Sequence, residues 1–127
     1  MFVITIAYSV INIISTGETF YEIMDDSMSP TIMKGEVVEV GEWVDFKKNY
    51  DGDIIVVYST ENKDQVTAQR IIETTSYLPW TFLVRGDNET NPDTTGRMII
   101  EEDYVGAVFK IYENMDVAKL GGEFRNP

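Results

Sequence analysis

Hydrophobic and polar positions alternate over short stretches, and no segment of a dozen residues sustains an apolar repeat near the helical period of about 3.6. Glu36–Val40, Asp53–Tyr58, Val66–Ile72, Thr81–Arg85 and Tyr104–Tyr112 are each rich in β-branched or aromatic side chains and read as strands. Turn-forming residues separate them at Lys34-Gly35, Asn49 to Asp53, Glu61 to Asp64 and Gly86 to Gly96. The pattern predicts a mainly β protein, a small folded-over sheet or barrel with at most a turn or two of helix. We expect a hydrophobic segment over 1–15, the β domain over 16–120 and a loose tail over 121–127.

The first segment leaves three readings open. Phe2 to Ile14 is mostly apolar, but it is interrupted by Thr5, Ser9 and Asn12 and is shorter than the about 20 residues that span a bilayer. No Lys or Arg precedes it, so it lacks the charged flank of a secretory signal. It reads as a buried strand, as the tail of a membrane anchor, or as an interfacial segment.

Composition narrows the chemistry further. At 127 residues the chain suits one domain, and its net charge of −12 opposes binding to phosphate backbones and anionic headgroups, so no nucleic-acid partner is expected. With no cysteine there is no thiol nucleophile, disulfide or thiolate metal site. With no histidine there is no Ser-His-Asp triad, histidine zinc site or imidazole switch within the chain. Asp87, Glu89, Asn91 and Asp93 alternate like the first ligands of a calcium loop. Pro92 and Met98 stand where that loop needs Gly and Glu, so an EF-hand is not expected, loose binding of a stray divalent cation by these carboxylates is the plainer reading, and no resident metal or cofactor is expected.

Three stretches say more than strand propensity requires. They are Asp26-Ser27-Met28-Ser29-Pro30-Thr31 with Gly35 to Val38 after it, Asp51 to Val57 with Gln69-Arg70-Ile71-Ile72, and Arg85-Gly86-Asp87-Asn88 with Asp93, closing on Tyr104 to Val108. In this order and spacing, over about residues 20 to 112, they resemble the type I signal peptidases, serine endopeptidases that remove signal peptides at the outer membrane face. The Arg-Gly-Asp-Asn form is more similar to the archaeal and endoplasmic-reticulum branch than to the larger bacterial enzymes. The resemblance implies a nucleophile at Ser27, a base at position 69, acidic partners at Asp87 and Asp93, and substrate contacts at Met28 and Pro30. It also implies an extended preprotein segment as ligand, and membrane association through the N-terminal segment with the site on the extracytoplasmic side.

Two positions depart from the family pattern. The family's base is a lysine or histidine immediately before an arginine, and here the residue before Arg70 is Gln69, an amide that can hydrogen-bond Ser27 but cannot take its proton. Lys63, the nearest lysine in sequence, is six residues away, roughly 20 Å along a strand rising about 3.3 Å per residue. Two positions before the nucleophile the family commonly has a serine that helps bind the oxyanion, with glycine between. Here Asp25 and Asp26 occupy that oxyanion region beside Ser27, and their charge is expected to repel the developing one.

Plainer readings stand beside these. Ser27 to Thr31 also reads as a turn into a strand with Met28 in the core, Gln69 as a solvent-facing polar residue, and Asp25-Asp26 as solvated surface. Trp43 and Trp80 read as core or rim packing, or as aromatics seating a peptide. Two functions remain. One is a signal-peptidase-type endopeptidase, impaired as written by Gln69, and the other a non-catalytic homologue that keeps the scaffold for peptide recognition, assembly or regulation. A self-cleaving SOS-repressor-type domain shares the Ser-Met and Gly-Asp pattern, but Pro30-Thr31 and Gly86-Asp87-Asn88 argue against it.

Overall fold

Ile54 to Tyr58 is an unbroken run of apolar and β-branched residues inside the motifs, and such a run suits a strand covered on both faces. A computed structural model of the protein describes residues 18–89 and 95–113. It places that run at the centre. Among the described residues there are seven strands: β1 Glu18–Glu22, β2 Val37–Gly41, β3 Ile54–Tyr58, β4 Val66–Tyr77, β5 Trp80–Arg85, β6 Arg97–Ile99 and β7 Tyr104–Tyr112. They pair antiparallel in one sheet of order β1-β2-β7-β3-β4-β5-β6, with β3 in the middle. The helix among these residues amounts to two 3-10 turns, Phe46–Lys48 and Glu101–Asp103.

Alternation along β3 divides the core in two. Val56 points into a cluster with Tyr21, Ile23, Met28, Ile32, Val38, Val40, Val66 and Ala68. Its neighbours Ile55 and Val57 point into the other, with Phe46, Ile71, Phe82, Val84 and Ile99. Phe46 and Phe82 meet there edge to face, ring centres 4.9 Å apart.

All five expected strands are present, and β7 has the expected bounds. β4 runs on past Ile72 to Tyr77 through Glu73-Thr74-Thr75-Ser76, polar residues held in the sheet by hairpin pairing with β5. Two strands were not foreseen. In β1, Thr19, Phe20 and Tyr21 are all buried, which removes the alternation that marks a strand. Three-residue β6 exists through its pairing with β5. The expectations for the N-terminal segment and the C-terminal tail fall outside the described residues. No helix among the described residues is long and apolar enough to cross a membrane.

Two features of this sheet position the site. The connection from β1 to β2 folds back on itself, with Ile23 N–H donating to Glu36 O at 2.8 Å and Gly35 N–H to Ile23 O at 2.7 Å. Its Met28 and Ile32 are wholly buried and pin it to the core. The second feature is an open edge. β5 pairs with β4 only from Arg70 onward, so among the described residues the segment Val66 to Gln69 has a ladder partner on the β3 side alone.

Phe82 is fully buried at the crossing of β5 with the second cluster. Phe82→Ala is expected to cost about 3–5 kcal/mol, because it removes both ring burial and the contacts around the cavity left behind. Urea unfolding of parent and variant measures it.

Candidate functional site

Ser27 opens the turn that follows β1. Ser29 N–H donates to Asp26 O and Ile32 N–H to Met28 O, each at 3.0 Å, so one short coil of backbone sets the serine at its head. The opposite wall is the turn after β5. A side chain at Gly86 would collide with the Ser27 carbonyl oxygen, so only glycine permits this approach. Asn88 N–H donates to the same oxygen at 2.9 Å.

Asp87 fastens the two walls together. Arg70 grips it with two parallel bonds, Nε to Oδ1 and Nη2 to Oδ2, each 2.8 Å. Thr31 Oγ1 donates to Oδ2 at 2.6 Å, and Asp87 N–H points at Met28 Sδ at 3.4 Å. A further Arg70 bond, Nη1 to Gly52 O at 2.8 Å, ties in the turn before β3. Hydrogen bonding from Arg70 outweighs desolvation and holds the Asp87 carboxyl below the usual aspartate range, while the same bond raises the Arg70 guanidinium. Asp87 thus joins elements far apart in sequence and makes no hydrogen bond to Ser27.

The serine's own partner is Asp25. Ser27 Oγ donates to Asp25 Oδ1 at 2.7 Å, and Ser27 N–H donates to the same oxygen at 3.1 Å. Thr67 Oγ1 donates to Asp25 Oδ2 at 3.1 Å, and the Ser27 and Thr67 hydroxyls lie 3.4 Å apart. Thr67 and Gln69 share one face of β4 because Val66 and Ala68, alternating with them, are in the core. Gln69 lines the cleft and reaches the serine through Thr67, donating Nε2 to Thr67 Oγ1 at 3.4 Å.

These placements modify several expectations. To the expectation of Asp25 as a charge beside Ser27 the structure adds hydrogen bonds to its Oδ1 from the Ser27 hydroxyl and N–H. Asp26 is exposed and contributes its carbonyl to the turn. Met28 is core and not cleft surface, leaving Pro30 exposed beside it. Asp93 lies outside the described residues. Trp43 is exposed and stacks edgewise on Phe109, and Trp80 packs between Tyr77 and Phe82; neither lines the cleft. Thr67 was missed, though strand alternation two residues before Gln69 signals it.

Between the walls lies a cleft of about 520 Å³, lined among others by Asp25, Ser27, Thr67, Gln69, Gly86 and Arg97. Among the described residues, no three carboxylates gather closely enough to hold a metal ion. Along one wall, Val66 to Gln69 of β4 carries backbone groups that β5 does not pair. Among the described residues, Asp25 is the only carboxylate or amine hydrogen-bonded to the Ser27 hydroxyl. Comparison with protein-family models and with curated proteins finds no match to the chain.

The Asp87 pair sets a pH dependence. A carboxyl lowered in the folded state stabilises the protein above its unfolded value of about 3.9, and that contribution is lost as pH falls through the lowered folded value. Asp87→Asn is expected to reduce stability by about 1.5–3 kcal/mol at pH 7, the range for a hydrogen bond to a charged group. Denaturant titrations should show the gap between parent and variant closing below about pH 4.

Proposed function

We propose that the chain is a signal-peptidase-type serine endopeptidase domain that binds an extended preprotein segment and is catalytically impaired, working as a peptide receptor. Two features of the residues support the family: the order and spacing of the Ser27, Arg70 and Asp87 motifs, and the way those three motifs pack on one another around a cleft. One observation carries the functional reading. Asp25 Oδ1 accepts hydrogen bonds from both the hydroxyl and the backbone N–H of Ser27, at 2.7 and 3.1 Å.

A serine protease needs that hydroxyl next to a base suited to its working pH, and it needs free donors where the oxyanion develops. Here the amide at position 69 takes no proton, and a carboxylate stands on the oxyanion side, where its charge raises the barrier. Binding keeps its requirements. The unpaired edge of Val66 to Gln69 offers backbone groups for an added strand, the mode by which sheet edges take extended peptides. The reading includes a location at the extracytoplasmic face of a membrane, reached through the N-terminal segment.

Incubating the full chain with a preprotein is expected to give no cleavage above background. The double change Gln69→His with Asp25→Ser is expected to restore processing that a further Ser27→Ala abolishes. Turnover by the unmodified chain, lost on Ser27→Ala, overturns the impairment. Titration with a preprotein-derived peptide should shift the backbone amide resonances of Val66 to Gln69, and unmoved resonances overturn the receptor.

A further inference from the structure

We infer that the donors around Asp25 form a carboxylate-binding site, filled by Asp25 itself in the resting chain, whose outside ligand is the C-terminal carboxylate of a peptide lying in the cleft. This rests on the peptide-receptor reading and names the ligand group it takes. Both oxygens of the carboxylate are bound, from two elements far apart in sequence. Ser27 N–H and O–H meet Oδ1, and Thr67 O–H meets Oδ2. None of these donors is cationic, so the set is a neutral cradle shaped to a two-oxygen anion.

The cradle is held by restraints that do not involve Asp25. Ser27 is fixed by Asn88 N–H on its carbonyl, by the close approach of Gly86, and by the buried neighbour Met28. Thr67 is fixed by pairing with Val57 in the ladder. Its hydroxyl direction is set by Gln69, because an amide N–H donating to Oγ1 leaves the Thr67 proton to point at the carboxylate. Gln69 is therefore a positioning residue for this site, a task that suits an amide.

Asp25 is exposed, between exposed Met24 and Asp26, so its side chain can leave without opening a hole in the core. What replaces it must bring its own carboxylate, since two carboxylates do not share one donor set without strong repulsion. Thr67 belongs both to this edge of β4 and to the cradle, so a peptide on the edge whose C-terminus falls beside Thr67 brings its carboxylate to the donors. A peptide that ends there with a free carboxylate gains the donors. One that is amidated or continues past that point does not.

The test compares the parent with Asp25→Ala and Asp25→Asn, using acetate as the first probe and the Ser27 and Thr67 amide resonances as the readout. Acetate should move both resonances saturably in Asp25→Ala, about ten-fold more tightly than in the parent, the factor one charge-assisted hydrogen bond supplies. Asp25→Asn should lie between them, chloride at equal ionic strength should move neither, and adding Gln69→Ala to Asp25→Ala should weaken the acetate response. An equal response in all variants, or none in any, overturns the site. The second probe is one peptide with a free or an amidated C-terminus. Asp25→Ala should tighten the free acid alone, and equal gains for both forms overturn the assignment of the ligand. Acetate binding with neither peptide bound overturns the receptor reading and leaves the carboxylate site standing.

Discussion

The approach of Gly86 to the Ser27 carbonyl is the contact on which the site depends. It exists because residue 86 has no side chain, and it brings the turn after β5 against the turn after β1. Asn88 then bonds the same carbonyl, and Asp87, one residue earlier, falls within reach of Arg70 and Thr31. Each bond is modest alone. Together they join β4, β5 and the β1–β2 connection at one point, and Met28 seals that point from below with a fully buried side chain.

This clamp separates two roles that a reading by motif merges. Arg70 and Asp87 hold the walls, and neither touches the hydroxyl of Ser27. What touches it is Asp25, two residues upstream, through a bond of 2.7 Å. A carboxylate so close to the serine is not neutral with respect to chemistry. It consumes the hydrogen-bonding capacity of the nucleophile and puts negative charge where a reaction at this serine would create more. The same arrangement suits recognition, because an open strand edge and a fixed set of donors require no proton transfer.

Much of the fold was legible in the chain because the deciding signals are local. β-branched runs over Ile54–Tyr58 and Tyr104–Tyr112 mark the interior strands, and a two-residue period places Thr67 and Gln69 opposite Val66 and Ala68. Strands whose existence depends on a partner were not legible. Burial of Thr19, Phe20 and Tyr21 in succession hides β1, and β6 has too few residues to show any period. The site followed the same division. Ser27 and Gln69 line one cleft, while Asp87, one residue from its wall at Gly86, turns its carboxylate to Arg70 and Thr31. The direction of the Asp25 side chain, toward the serine and not away from it, is a rotamer choice settled by Ser27 N–H and Thr67, which no linear pattern displays.

The central claim is that the hydroxyl of Ser27 is hydrogen-bonded but not activated. Serine-directed acylating reagents measure this without any assumption about substrate, because they need only a hydroxyl whose proton can be removed. Intact-mass spectrometry of the protein after exposure to such a reagent at neutral pH should show no adduct on Ser27. A stoichiometric adduct at that residue, absent from Ser27→Ala, would contradict the account.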